Sequence, residues 1–314
     1  MTARLTAAAT VLSLLTAMPA NAQDSITKTG VIQMTNAAQP ATLKVPGATL
    51  YYETAGAGPT LLIIPGGPQD AGVFAPLAAE LASRFRVVSY DPRGNSRSSF
   101  DGEATALEVD QQADDAAALI AHIGAPAYVF GTSGGAQIGL NLAARHPHLV
   151  TALVAHEPPT MMLMDDPEPM LAADRALYET YRTQGVDAAM ARFFAEAGLD
   201  GGEAPGGDMP DFDPTAMPPE AAETFMRVSG NFEYWLAHGM LPLSGYKPDV
   251  TALKLGAPKV IVAIGAHSAG QPIHEMSMAL ANALGVEPLS VPGDHMGFES
   301  HPAQFAQRLE AAFK

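Results

Sequence analysis

From residue 42 onward the chain alternates short, unbroken apolar runs with longer stretches whose apolar positions recur at helical spacing. Thr60–Ile64, Arg86–Tyr90, Ala127–Phe130, Val150–Ala155 and Lys259–Ile264 read as strands buried on both faces. Val73–Arg84, Leu107–Ile123, Ala136–His146, Ile273–Leu284 and Pro302–Phe313 read as helices between or after them, and Glu287–Val291 as one more strand. Ahead of this series, Thr42–Val45 and Thr49–Glu53 alternate apolar and polar residues around Pro46-Gly47, which predicts a hairpin of two edge strands. Strands that alternate with helices must run parallel and be joined by right-handed crossovers, so the pattern predicts an α/β fold with a mostly parallel central sheet flanked by helices.

The rhythm stops near Pro158 and resumes at Lys259. Residues 158–255 contain no buried-strand pattern; helical periodicity appears over Met170–Thr183, Val186–Ala197 and Ala221–Ala237. Gly201–Pro219 is rich in Gly, Pro and Asp and has the composition of a loop. The expected organisation is therefore one α/β core, residues 23–157 and 256–314, interrupted by a helical insert at 158–255.

The first residues follow another logic. Arg4 precedes the apolar run Leu5–Met18, and Ala20-Asn21-Ala22 has the small-x-small form of a signal-peptidase site. Residues 1–22 are expected to be a secretory signal peptide, which would place the mature protein in the periplasm or outside a bacterial cell. The run is too short for a membrane span, and no later stretch is long and apolar enough to be one.

Composition narrows the chemistry. With 314 residues, 47% of them hydrophobic, the chain can bury a large core. A formal net charge of −16 repels phosphate and speaks against a nucleic-acid partner; it fits a well-solvated surface better than a cationic substrate. There is no cysteine, hence no disulfide, thiol nucleophile or thiolate metal site.

One motif carries a reaction. Gly131-Thr132-Ser133-Gly134-Gly135 matches G-x-S-x-G, a pattern that is unspecific alone but pointed here, because it lies where an apolar strand hands over to a helix. A turn that sharp strains the serine backbone, leaves room only for glycine on either side, and aims the helix N-terminus and the Gly134 amide at the hydroxyl. Ser133 is the candidate nucleophile. It needs a base. Among nine histidines, His295 lies in "VPGDHMGFESHP", a loop opening at the carboxyl ends of the strands, the rim that holds Ser133. His301, before Pro302, is its rival but is better placed to begin the last helix. The imidazole in turn needs a carboxylate. The loop "VIVAIGAHSAGQP" offers none, whereas "LVAHEPP" ends the strand after the nucleophile helix with Glu157. Glu157 is the candidate acid, the alternative being a purely structural role at the neck of the insert. Asp294 adjoins His295 too closely in sequence, and Asp249 is a remoter choice. For an oxyanion, Gly134 and Gly67 of "IIPGGPQDAGVF" supply amide N–H groups that Pro65 and Pro68 lack. Asp91 and Arg93 of "YDPRGNSRSS" read as braces of their loop.

Together, Pro65-Gly66-Gly67-Pro68, Asp91-Pro92-Arg93-Gly94-Asn95-Ser96, the Gly131–Gly135 turn and Pro292-Gly293-Asp294-His295 resemble the α/β-hydrolase superfamily over nearly all of residues 42–314. The resemblance implies the α/β-hydrolase fold, with the insert as a helical cap. It also implies a serine hydrolase that cleaves a small ester-like or lactone substrate through an acyl-enzyme, without metal or organic cofactor. Ser133, Glu157 and His295 keep the family order, with the acid placed as in some haloalkane dehalogenases and lactone-cleaving members. A serine in place of their aspartate argues against dehalogenation and epoxide hydrolysis, and Pro65 replaces the usual first histidine of the oxyanion loop. Phe225, Phe232, Trp235 and Met240, with Met226 and Tyr234 beside them, either line an acyl pocket or form the insert's own core. Two other readings stay open. One is a proline-iminopeptidase-like enzyme, suggested by Gly66-Gly67-Pro68, that grips an amine with Glu223 or Glu233. The other is a binding member of the fold without turnover.

Overall fold

The computed structural model describes residues 38–197, 217–256 and 258–314. The expected signal peptide and residues 201–216 of the Gly/Pro/Asp-rich stretch lie outside the described residues. The chain opens with β1 (Gln39–Val45) and β2 (Ala48–Ala55), then β3 (Thr60–Ile64), α1 (Ala75–Leu81), β4 (Arg86–Tyr90) and the short β5 (Ser99–Phe100). α2 (Val109–Ile123), β6 (Ala127–Thr132), α3 (Gly134–Arg145) and β7 (Val150–His156) follow. Among the described residues between β7 and β8 come α4 (Glu168–Gln184), α5 (Val186–Glu196), α6 (Pro219–Tyr234), α7 (Met240–Ser244) and α8 (Val250–Leu255). β8 (Lys259–Gly265), α9 (Pro272–Leu284), β9 (Leu289–Val291), α10 (Gly297–Ser300) and α11 (Pro302–Ala312) complete the core.

The strands form one sheet in the order β1-β2-β4-β3-β6-β7-β8-β9, with β5 also on β2. β4, β3, β6, β7, β8 and β9 are mutually parallel, and β2 runs antiparallel to both β4 and β1. β2 is not the edge strand that its alternating pattern suggested. It pairs with β1, β4 and β5, and Ala48, Leu50 and Tyr52 are buried while intervening residues are only partly covered. Alternation reports that one face of a strand is less covered, not that its hydrogen-bonding edge is free.

Each face of the sheet is covered. Val109, Ala113, Leu119 and Ile120 of α2 pack with Ile138, Leu142 and Leu280 in one core. On the other face Leu77 and Leu81 of α1 meet Phe305 and Leu309 of α11. The continuous apolar runs of β3, β6 and β7 follow from this two-sided burial, with Leu61, Leu62, Ile63 and Ile64 at most 1% exposed. The crossover from β4 through α2 steps over β3 to reach β6, so the chain reverses its winding direction between β3 and β6. At such a point the loops that leave adjacent strands diverge and open a crevice. The two loops here are Pro65–Pro68 and the turn at Ser133.

The helices between β7 and β8 have their own core, with Leu177, Met190, Phe194, Phe225, Phe232 and Trp235 buried together. A π-helical turn, Trp235–Gly239, joins α6 to α7. α8 packs instead against α3 and α9, and its Leu253 belongs to the sheet's core.

Candidate active site

The turn at Ser133 is as tight as its glycines foretold. Ser133 has φ 54° and ψ −128°, outside the regions an L-residue ordinarily occupies. A Cβ on Gly135 would sit 2.2 Å from the Ile64 carbonyl oxygen, and one on Gly131 would sit 2.5 Å from the Gly135 carbonyl oxygen. No side chain fits at either position. The strained conformation is held by backbone: Ser133 N–H donates to the His156 carbonyl (2.9 Å), and Ala136 N–H donates to the Ser133 carbonyl (2.9 Å). Strain is stored only where surrounding bonds over-determine it.

Glu157 is fully buried at the end of β7, also at positive φ (44°). Its Oε1 accepts from Gly265 N–H (2.8 Å) at the end of β8, and its Oε2 lies 2.7 Å from His295 Nδ1. Burial by itself would raise the carboxyl; the hydrogen bond from His295 and the neighbouring rings outweigh it and hold the group at about 2. The ionised carboxylate has no hydrogen to give, so Nδ1 carries the proton and donates, leaving Nε2 as the free lone pair. Ser133 and His295 border one cavity of about 300 Å³. Ser133 Oγ makes no hydrogen bond to the ring in this structure, the looser arrangement common in unliganded sites.

The two candidate oxyanion donors are neighbours. The Gly67 amide nitrogen lies 3.6 Å from where a Cβ on Gly134 would stand, and both glycines border the cavity. The Gly67 loop is pinned by residues the sequence reading did not single out. Asn95 Nδ2 donates to the carbonyls of Gly67 (3.2 Å) and Gln69 (3.0 Å), and Asn231 Nδ2 of α6 donates to that of Pro68 (2.8 Å). Asn95 stood inside a quoted motif, but a spacing of 28 residues gives no sign of which carbonyl it will reach.

His156 is a second residue that the sequence did not mark. It is fully buried behind His295, with ring centroids 6.0 Å apart and planes within 20°, and its Nδ1 lies 2.9 Å from Thr132 Oγ1. Burial pushes it from the usual 6.5 down to about 4, so it stays neutral where an exposed histidine charges. A histidine neutral in the fold but protonated in the unfolded chain gives stability that is fully present above pH 6.5 and lost as pH falls toward 4. That shift corresponds to roughly 3 kcal/mol. The Glu157 contribution has its own window, lost only as pH falls from 4.5 toward 2. In His156→Phe, urea midpoints at pH 7 and pH 4.5 should therefore lie closer together than in the wild type. An unchanged gap would show that His156 is not the acid-sensitive group.

The other candidates separate cleanly. His301 Nδ1 contacts Ser300 Oγ (2.8 Å) and precedes α11. Asp294 accepts from Met296 N–H and Asp249 from Ala252 N–H, each capping its own local turn. Arg93 forms a buried two-bond ion pair with Asp115, and Asp91 pairs with Arg97 and accepts from Ala71 N–H, so both brace their loop. Phe232, Trp235 and Met240 border the cavity. Phe225 does not: two turns earlier on α6, it packs inside the core of the helical segment. Met226 is 58% exposed, Tyr234 donates to the Thr105 carbonyl, and Glu223 and Glu233 are exposed and away from the cavity. The helical period placed Phe225 on the correct stripe, but a stripe does not say where along it a cavity opens.

The cavity is mainly apolar, with few polar groups. Trp235 Nε1 is buried without a hydrogen-bond partner among the described residues and lies 3.6 Å from the point above Gly67 where a Cβ would stand. Asp174 and Ser244 also border it, bonded to each other. Among the described residues no three His, Asp or Glu side chains gather as a metal site, and no helix is long and apolar enough to cross a membrane.

Comparison with known proteins agrees with this architecture. The family described as alpha/beta hydrolase fold matches residues 59–197. An uncharacterized hydrolase, YraK, of Bacillus subtilis is 33% identical over 275 residues, covering 85% of this chain and 93% of its own. A zearalenone hydrolase of Bionectria ochroleuca is 28% identical, covering 85% of this chain and 94% of its own. Among solved structures, the enol-lactonase from Burkholderia xenovorans superposes with a TM-score of 0.65 at 20% identity, covering 87% of this chain and 99% of its own, a likeness of fold.

Proposed function

Since the chain belongs to the α/β-hydrolase family and is a hydrolase, we propose that it cleaves ester or lactone bonds by nucleophilic catalysis at Ser133. His295 Nε2 takes the proton from Ser133 Oγ as the oxygen adds to the substrate carbonyl. The amides of Gly67 and Gly134 receive the negative charge that develops on the carbonyl oxygen. His295 then hands its proton to the departing alkoxide, leaving an acyl group on Ser133. Water, deprotonated by the same ring, adds to that acyl carbon, and the proton returns to Ser133 as the acid leaves. Glu157 stays ionised throughout, steadying the imidazolium and fixing its tautomer. The helices between β7 and β8 act as a cap that shapes the acyl and alcohol sites.

The observation that carries this reading is the 2.7 Å bond between Glu157 and His295 above a cavity that Ser133 also borders. The mainly apolar lining supports an uncharged ester, and the relative named for zearalenone hydrolysis supports hydrolysis of a small organic substrate. An aminopeptidase would need a free carboxylate at the cavity to hold an amine; Glu223 and Glu233 lie away from it, and the two acids that border it, Asp174 and Glu196, are bonded to Ser244 and Arg192. Assays with p-nitrophenyl butyrate, a simple lactone and proline p-nitroanilide decide between them. Turnover of the first or second, with the amide slower by about two orders of magnitude or more, is the expected result. The reverse order would replace this reading with the peptidase. The sequence of residues 1–22 supports action in the periplasm or outside the cell.

A further inference from the structure

We propose that the cavity selects substrates bearing a free hydroxyl group in addition to the scissile ester, and that Asp174, held as a neutral carboxylic acid, is the residue that accepts a hydrogen bond from it. This rests on the hydrolase reading for the bond that breaks, but not for the recognition itself.

The argument starts from a count of hydrogens. Ser244 Oγ lies 2.9 Å from the Met240 carbonyl oxygen, one turn back in α7, and also touches Asp174 Oδ2 of α4. A carbonyl oxygen has no hydrogen to contribute, and a serine hydroxyl has one. If Asp174 were ionised, that single hydrogen would have two acceptors to serve and one contact would go unmade. If Asp174 carries a proton, both contacts are made in series: Asp174 Oδ2–H donates to Ser244 Oγ, and Ser244 O–H donates to Met240 O.

The surroundings favour the same state. Asp174 borders a mainly apolar cavity, with Leu177 and Met240 close by in chain and space. Burial raises its carboxyl, and the charge of Glu196 raises it further, against the lowering effect of the Ser244 bond. No cation among the described residues is bonded to it: Arg192 is engaged with Glu196 at 2.7 Å, and Arg175 with Glu168.

A protonated acid oriented this way leaves Oδ1 as a carbonyl-like acceptor with no hydrogen bond to any described residue, on a side chain that borders the cavity. A hydroxyl hydrogen satisfies it; a methyl group placed there leaves it bare. An ammonium finds no ionised partner at Asp174, and Glu196, which also borders the cavity, is already paired with Arg192. The site is on the same cavity as the nucleophile: Leu243, the neighbour of Ser244, comes within 2.9 Å of the Cβ position of Gly134. One molecule can therefore reach both Ser133 and Asp174.

The test uses binding, so that it stands apart from turnover. Trp235 is the chain's one tryptophan and borders the cavity, so its fluorescence reports occupancy. Ser133→Ala protein is titrated with methyl ω-hydroxyalkanoates, with the methyl alkanoates in which the hydroxyl is replaced by methyl, and with the ω-amino esters, over a range of chain lengths. At the length that reaches Asp174 the hydroxy ester is expected to bind about 3- to 10-fold more tightly than its methyl counterpart, the worth of one net hydrogen bond. Adding Asp174→Asn should keep that preference, because the amide nitrogen can donate to Ser244 while its oxygen still accepts. Adding Asp174→Leu should erase or invert it without weakening the methyl ester, which also shows that the cavity is intact. The proposal is overturned if no chain length favours the hydroxyl, if the preference survives in Asp174→Leu, or if the amino ester binds best and Asp174→Asn abolishes selectivity. Hydroxyl selectivity in a protein that turns over no ester would sink the reaction and leave the recognition standing. Ester turnover with no selectivity at Asp174 would do the opposite.

Discussion

Replacing Ser133 by alanine lowers kcat on p-nitrophenyl butyrate by about 10^4- to 10^6-fold, the scale on which loss of an acyl-accepting hydroxyl is felt. The turn itself should survive. Its strain is imposed by the glycines at 131 and 135 and by the backbone bonds of residue 133, and none of these involves the hydroxyl. Alanine adopts φ 54° no less readily than serine, so thermal stability should hold or rise slightly. A variant that is folded, binds ester and fails to cleave it separates chemistry from structure. A variant with half the wild-type rate would mean that another group attacks.

Glu157→Gln is expected to cost about 10^3- to 10^4-fold in kcat, for a reason particular to this site. Oε1 of Glu157 accepts from Gly265 N–H at 2.8 Å, so a glutamine must turn its carbonyl oxygen that way. Its NH2 group then faces His295 Nδ1 across the 2.7 Å contact. Two donors cannot share that contact, so Nδ1 must become the acceptor and the ring proton must move to Nε2. The lone pair needed by Ser133 is then occupied. The loss should appear in kcat with little change in KM, because the side chain is buried and does not meet substrate. Glu157→Asp makes a useful companion. It keeps the charge but shortens the reach, and its deficit should be smaller than that of the glutamine variant wherever rates are read above pH 6. Equal rates for wild type and Glu157→Gln would move the role of acid elsewhere, although Asp294 and Asp249 are already committed to their own backbone caps.

What could be read in the chain and what could not divides along physical lines. β3, β4, β6, β7 and β8 announce themselves because a strand covered on both faces has to be apolar throughout, and little else produces such runs. The order of those strands with their helices fixes which loops share a rim, and that is how Ser133, Glu157 and His295 could be chosen from widely separated segments. β5 leaves no mark because two residues carry no period, and the alternation of β2 reflects cover, not pairing, so it does not tell an edge strand from an inner one. α7 and α8 escaped notice for their shortness.

Side-chain partnerships over long separations left the least trace. Asn95 reaching the Gly67 carbonyl ties the loop after β4 to the loop after β3, and Asn231 reaching that of Pro68 follows from how α6 settles on them. Nothing in the pattern of α4 sets Asp174 apart from the other acids of that helix, and its bond to Ser244 of α7 at the cavity comes from tertiary packing. His156 lay beside Glu157 in plain sight. Adjacent residues of a strand point to opposite faces, so its place behind the His295 ring depends on the turn at positive φ that carries Glu157 back toward the rim.

The most direct measurement treats the intact wild-type protein with a fluorophosphonate and locates the adduct by mass spectrometry of its peptides. A single stoichiometric phosphonyl group on Ser133, absent from Ser133→Ala and formed at least a hundredfold more slowly in Glu157→Gln, is the expected result. An unlabelled protein, or one labelled at any other residue, would contradict the assignment of Ser133 as a nucleophile activated by His295 and Glu157.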